Sequence, residues 1–188
     1  MLVYLIRHGE SETNLSKKYT GWLDVPLTDK GREDAKKAGS FLKNISFDKV
    51  FASDLRRAIQ TAEIALPACD YETSPLFREI NVGTLAGNPL SVLSDAQKEN
   101  VAKYGYASLD GESRDAFNRR VHQALLQMEM LKLEAVAVFT HAGFMRGVVD
   151  TVLHTYLPRK HVRCSNCTIA ILEYSNNNWA LHSWINLM

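Results

Sequence analysis

The chain has 188 residues, 46% of them apolar and 23% charged, with 22 Lys and Arg against 21 Asp and Glu for a net charge of +1. That length suits a single domain, residues 1–188, with its own core, and the balanced charge lacks the basic excess that marks nucleic-acid binders. No stretch approaches the about 20 apolar residues of a membrane span, and the run Leu2 to Ile6 is too short for a secretory signal. A soluble, cytoplasmic protein with neither a nucleic-acid nor a membrane partner is expected.

"LVYLI" (Leu2 to Ile6) is almost continuously apolar and branched, as expected of a strand buried on both faces. Past a loop containing Gly, Trp and Pro, Thr28 predicts the N-cap of a helix with Ala35, Ala38, Phe41 and Leu42 on its apolar face. Asp48 to Ala52 predicts a second strand. The run from Ser53 to Leu66 predicts a helix opened by Ser53 or Asp54, with Leu55, Ala58, Ile59 and Ala62 as its stripe. Residues 71–80 read as extended, 81–89 as a loop and 90–106 as helical. Phe117, Val121, Leu125 and Met128 recur at spacings of four, four and three, which predicts a long amphipathic helix from about Ser113. "AVAVFT" (Ala135 to Thr140) is the best strand in the sequence, and a helix bearing Phe144, Val148 and Val152 follows it. The tail, two β-rich runs around "SNNN", predicts an antiparallel hairpin. This alternation predicts a three-layer α/β/α sandwich on a mostly parallel sheet with an antiparallel edge.

Open α/β sheets bind ligands beyond the carboxyl ends of their strands. Three such ends carry polar residues here: Arg7-His8-Gly9-Glu10, Ser53-Asp54-Leu55-Arg56-Arg57 and Thr140-His141-Ala142-Gly143. Guanidiniums offer a planar fork to phosphate oxygens, helix N-termini add oriented N–H groups, and neutral histidine serves as nucleophile, base or donor. Any one of these residues alone is commonly a cap or a surface partner; three strand ends together point to a phosphoryl group. A metal site built from His8 and His141 with Glu10 or Asp54 is the rival, and the adjacent arginines argue against it. His161, Cys164 and Cys167 in "HVRCSNC" have ligand-like spacing, yet a closed zinc site needs a fourth partner, and a redox Cys-x-x-Cys is better placed at a helix N-terminus than before a strand. With Cys69 the cysteines number three, so no disulfide framework is expected. Neither a metal nor an organic cofactor is expected.

Beyond these strand ends, "RHGESETN", "TGWLDVPLTDKGREDA", "SDLRRAIQTA", "FREINVG", "DGES", "THAG" and "NCTIAILEY" follow one another along nearly the whole chain. In this it resembles the histidine phosphatase superfamily, in the phosphoglycerate mutase-like branch that carries the "RHGE" signature. The resemblance implies the phosphoglycerate mutase-like fold, with His8 as the nucleophile that becomes phosphohistidine and Arg7, Asn14, Arg57 and His141 as the phosphate pocket. It implies Glu79 as the general acid, Glu10 as a supporting residue, and Thr20 and Gly21 at the pocket mouth, contacting substrate through hydroxyl and backbone N–H. Trp22, Pro26 and Leu27 are expected to pack within that loop. His8 must attack as neutral imidazole, with a hydrogen bond at its other ring nitrogen fixing the tautomer; the acceptor of that bond is not visible in sequence. After Gly83 the family often has an aromatic residue and then Glu-Gly, whereas this chain reads Thr84-Leu85-Ala86-Gly87.

The implied activity is phosphatase action on a small phosphorylated metabolite, with α-ribazole phosphate and sugar or glycerate phosphates as candidates. A cofactor-dependent phosphoglycerate mutase is the alternative, and an inactive phospho-ligand binding module is a further one. Glycolytic mutases of the family are longer between the acid and the second pocket histidine, where basic residues grip a carboxylate. Here that stretch offers mainly Lys98, Lys103, Arg114, Arg119 and Arg120, several on the predicted amphipathic helix, where solvation or pairing with acids is the default. Monomer and homodimer both remain open.

Overall fold

Leu2–Arg7 forms strand β1, and its alternating side chains feed two different cores. Val3 and Leu5 point into one, Tyr4 and Ile6 into the other. A strand apolar on both faces has to lie inside a covered sheet. A computed structural model describes residues 1–155 and 162–187. In chain order the described elements are β1, α1 (Glu12–Leu15), α2 (Asp29–Leu42), β2 (Lys49–Ala52), α3 (Arg56–Ala65), β3 (Glu72–Thr73), α4 (Asp95–Tyr104), α5 (Arg114–Leu131), β4 (Ala135–Thr140), α6 (Ala142–Val152), β5 (Ile169–Ser175) and β6 (Asn178–Ile185). Among the described residues no helix is long and apolar enough to cross a membrane.

The six strands are ordered β3-β2-β4-β1-β5-β6. β1, β2, β3 and β4 run parallel, while β5 pairs antiparallel with β1 and β6 antiparallel with β5. The expected antiparallel hairpin therefore closes one side of the sheet, through a turn at Asn176 and Asn177, both at positive φ. On one face α5 and α6 bury Phe117, Val121, Leu125, Met128, Phe144 and Val148 against Val136 and Val138. On the other, α2 and α3 bury Ala38, Leu42, Ala62 and Ala65 against Ala137 and Phe139. This is the three-layer α/β/α arrangement. It sets β1, β4 and β2 side by side, so the residues after them open at one end of the sheet.

Several local expectations are corrected. Phe41 is not on the buried stripe of α2 but 38% exposed. α3 is opened neither by Ser53 nor by Asp54: its N-cap is Leu55, and the Arg56 N–H donates to Asp24 Oδ1 at 2.7 Å, a cap supplied from another loop. Asp54 is engaged with Arg78, and Ile59 is only half-buried where Arg57 and Thr61 are buried. Residues 71–80 are extended only at Glu72–Thr73, because Ser74 caps a short 3-10 turn begun by Pro75. Helix α4 starts at Asp95, where Ser94 and Gln97 form a capping box, so 90–94 is not helical.

Candidate active site

Three loops converge at the carboxyl ends of β1, β4 and β2. β1 and β4 are in register to Arg7 and Thr140, and the His8 N–H continues the ladder to the Thr140 carbonyl at 2.9 Å. The chain then runs through Gly9 and Glu10 against the start of α2. A Cβ there would lie 2.2 Å from the Gly31 carbonyl oxygen, and one on Gly31 would lie 2.0 Å from the Glu10 carbonyl oxygen. The signature turn thus nests on the first turn of α2, which only two glycines allow. Glu10 faces that helix too, accepting from Thr28 Oγ1 at 2.9 Å with Lys30 Nζ 4.0 Å away.

His8 is 4% exposed, and Arg57 and His141 are fully buried. The His8 Nδ1–H donates to the Gly9 carbonyl at 2.7 Å, which leaves Nε2 as the unprotonated nitrogen. That nitrogen accepts from Arg57 Nε at 3.2 Å, and the two histidine rings lie 5.1 Å apart. Of its four other N–H donors, Arg57 gives two to the Leu23 and Gly21 carbonyls, each at 2.9 Å. Its guanidinium is anchored by the loop that was expected at the pocket mouth. Burial lowers Arg57 to about 10, with Glu79 and Asp24 offsetting part of this, so it stays cationic at neutral pH. Burial, then Arg57 and Arg7, hold His8 well below the ordinary histidine value; the Gly9 hydrogen bond opposes them only in part. His141 is lowered well below it by burial first, then by Arg57, His8, Arg7 and Arg120. Both rings are neutral at pH 7.

Arg7 donates from one terminal nitrogen to the Cys164 carbonyl. Its Nε and both ring nitrogens of His141 are buried without a hydrogen-bond partner in the protein. Buried polar atoms left unpaired in this way cost about 1–3 kcal/mol each. A cluster of them beside two guanidiniums fits an anionic ligand.

Asn14 Oδ1 accepts from the Ser11 N–H at 3.2 Å and from Asn166 Nδ2 at 3.1 Å, so its amide is oriented with Nδ2 as the remaining donor. Asn166 Nδ2 also reaches the His8 carbonyl at 3.2 Å. Sequence reasoning did not assign Asn166, although it opens the quoted "NCTIAILEY" run; nothing in the spacing ties it to a residue 152 positions earlier. Thr20 Oγ1 bonds Thr13 Oγ1 at 2.6 Å. Gly21, at φ +50, contributes its carbonyl to Arg57, a role sequence reasoning did not assign to it. Leu27 is buried as expected, while Trp22 is 38% exposed, donates to the Glu79 carbonyl at 2.7 Å and stacks under Arg78.

Glu79 sits over the start of α6. Its carboxylate accepts from the Ile80 N–H at 2.9 Å and the Gly143 N–H at 3.0 Å. A Cβ on Gly143 would meet Glu79 Oε1 at 1.9 Å, so the glycine makes room for the acid. A carboxylate at a helix N-terminus is favourably placed by the helix dipole.

The metal reading finds no support in these positions. Glu10 and Asp54 are turned to Thr28 and Arg78, and among the described residues no group of three or more His, Cys, Asp or Glu could hold a metal ion. His161 lies outside the described residues. Cys164 and Cys167 are buried free thiols in cores on opposite faces of the sheet. Burial pushes the Cys164 thiol up and Cys167 up to about 12, opposite to what a redox thiolate requires.

A family model described as "Histidine phosphatase superfamily (branch 1)" matches residues 3–187. The protein of Escherichia fergusonii named "Probable phosphoglycerate mutase GpmB" is 30% identical over 195 residues, covering 97% of this chain and 89% of that one. Among solved structures, the α-ribazole phosphatase of Shigella flexneri superposes with a TM-score of 0.86 at 24% identity, covering 100% of this chain and 97% of the other. A mutant phosphoserine phosphatase from Entamoeba histolytica in complex with phosphoserine gives 0.84 at 23%, covering 99% and 97%. At such identities the two structures establish the fold.

Proposed function

The chain belongs to the histidine phosphatase superfamily, and from that membership together with the setting of His8 we propose that it is a phosphomonoester hydrolase working through a covalent phosphohistidine on a small phosphorylated metabolite. The observation that carries the reading is the His8 ring: Nδ1–H is committed to the Gly9 carbonyl and the Nε2 lone pair faces the buried Arg57, with the half-buried Arg7 and a second, buried neutral imidazole beside it.

In the proposed reaction the phosphoryl group displaces the Arg57–His8 hydrogen bond, so that Arg57 Nε turns to a phosphoryl oxygen and frees Nε2. Arg7, Asn14 and His141 hold the remaining oxygens, matching the charge that spreads over them in an in-line transfer. The Nε2–P bond forms as the P–O bond to the leaving group breaks, and Glu79, which enters this step in its protonated form, gives its proton to the departing oxygen. Water then attacks phosphorus, Glu79 takes its proton, the N–P bond breaks and inorganic phosphate leaves. Each Glu79 oxygen accepts one N–H and keeps a second lone pair for that proton. No step calls for a metal.

The test is a panel of phosphomonoesters, α-ribazole phosphate, phosphoserine, sugar phosphates and phosphoglycerates, assayed for phosphate release with and without EDTA. Release that survives EDTA and disappears in His8→Ala is expected; loss on chelation, or persistence in the variant, contradicts it. The mutase reading is favoured by the name of the Escherichia fergusonii relative. Interconversion of phosphoglycerates faster than phosphate release would establish it in place of hydrolysis. An inactive phospho-ligand binder would be expected to lack part of the reacting set, and Arg7, His8, Arg57, Glu79 and His141 are all present.

A further inference from the structure

The loop that carries Glu79 has almost no regular structure: a 3-10 turn at Pro75–Phe77, then irregular backbone. Yet every carbonyl from Leu76 to Glu79 is bound by a side chain. Thr140 Oγ1 donates to Phe77 O at 2.7 Å, and Arg120 takes the others: Nη1 to Leu76 O at 2.9 Å and Arg78 O at 2.8 Å, Nη2 to Glu79 O at 3.1 Å. The rest of the Arg120 fork meets Glu112, Nε to Oε1 at 2.9 Å and Nη2 to Oε2 at 2.7 Å. All five guanidinium N–H groups are thereby accounted for. The pair is nearly closed to solvent, at 12% and 11% side-chain exposure. Glu112 is itself tied to the far side of the loop, its N–H donating to Asn81 O at 2.8 Å and its Oε2 accepting from Asn81 N at 3.2 Å. Arg120 lies over the Phe117 ring, on the buried stripe of α5. A residue expected to be solvated or paired with an acid is paired with Glu112 and in addition fastens the loop of Glu79 to the core.

We propose that Arg120, locked by Glu112, is the positioning residue that fixes the backbone of Glu79 and so aims its carboxyl group at the leaving-group oxygen. This rests on the reading of Glu79 as the proton donor. Displacement of a catalytic group by about 1 Å costs on the order of 10²-fold in rate, and proton donation matters only where the leaving oxygen is a poor one. Lysine cannot substitute, since a point-charge ammonium with three donors cannot span three carbonyls and a bidentate carboxylate.

The experiment compares wild type, Arg120→Lys, Glu79→Gln and the double variant on glycerol 2-phosphate, an alkyl ester, and 4-nitrophenyl phosphate, whose leaving group departs without a proton. Thermal unfolding is followed in parallel, and the Trp22 indole N–H signal, which reports the Glu79 carbonyl it binds, by NMR. Arg120→Lys is expected to lose about 10²-fold in kcat/KM on the alkyl ester and under tenfold on the aryl ester, since kcat/KM leaves out the water step common to both, to shift the Trp22 signal, and to add nothing on the Glu79→Gln background. Equal losses in kcat/KM on both esters, or a further loss in the double variant, would overturn the proposal. Should Arg120→Lys fail to fold, Glu112→Gln is expected to show the same leaving-group dependence at smaller size. An unmoved Trp22 signal overturns the clamp whatever the turnover. A moved signal in a protein whose wild type cleaves neither these esters nor any phosphomonoester of the panel above upholds the clamp and rejects the hydrolase reading.

Discussion

At the scale of single residues, the site depends on charge states set by burial. His8 and His141 are held neutral well below the ordinary histidine range by desolvation and by the neighbouring guanidiniums. In ligand-free protein, 15N-detected NMR is therefore expected to show neither ring protonating near pH 6.5, and His8 as the Nδ1–H tautomer; an Nε2–H signal from His8 would refute the assignment of the attacking nitrogen. Gly143 gives a second residue-scale prediction. Alanine at a helical position is ordinarily favoured over glycine by about 0.5–1 kcal/mol, but its Cβ would fall on Glu79 Oε1, the end of a flexible side chain. Gly143→Ala is expected to keep or slightly raise the melting temperature while lowering alkyl-ester turnover by about 10²-fold, a separation that calorimetry and steady-state kinetics read directly. Arg7, His8 and His141 were legible as candidates because each stands where a strand ends, and Arg57 because it opens the helix that follows one. The Gly9 acceptor, the Asn166 amide and the fivefold use of Arg120 were not, since each joins segments whose spacing in sequence is arbitrary.

At the scale of elements, local chemistry set those boundaries that local chemistry decides. Ser113 caps α5 by accepting from the Ala116 N–H, Thr28 caps α2 through Gly31, and the two-Asn turn closes the hairpin. The expectations that failed were decided at a distance. α3 starts late because its cap is Asp24, drawn in by the same loop that holds Arg57. The contact between the signature turn and α2 is of that kind and can be tested. In an exposed helix Gly31→Ala would be stabilising, but here the new Cβ would lie 2.0 Å from a backbone oxygen that has no rotamer to change. Gly31→Ala is expected to destabilise by about 1–3 kcal/mol in urea unfolding; a gain in stability would mean that the two turns can separate without consequence.

For the whole molecule, strand-and-helix alternation announced the layers but not the order of strands, because β4 enters between β1 and β2 only after most of the chain has been laid down. That late insertion completes the site, bringing His141 to His8. It also couples stability to pH. The folded state keeps both buried histidines neutral, whereas the unfolded chain takes up their protons near pH 6.5. Their contribution is thus fully present above that pH and is lost as pH falls toward the depressed folded values, with a slope approaching two protons per pH unit. Chemical denaturation between pH 5 and 7.5 is expected to show this fall, and phosphate, by binding only the folded cluster, to raise stability across the range.

The account stands on a covalent bond between His8 Nε2 and phosphorus. Rapid quenching of the enzyme with a turned-over phosphomonoester, followed by mass spectrometry of the peptide containing residues 7–10, tests it most directly. An acid-labile, base-stable phosphoryl group on His8, formed at a rate no slower than turnover and absent from His8→Ala, is the expected result. Turnover at full rate with His8 unmodified at every quench time would contradict it.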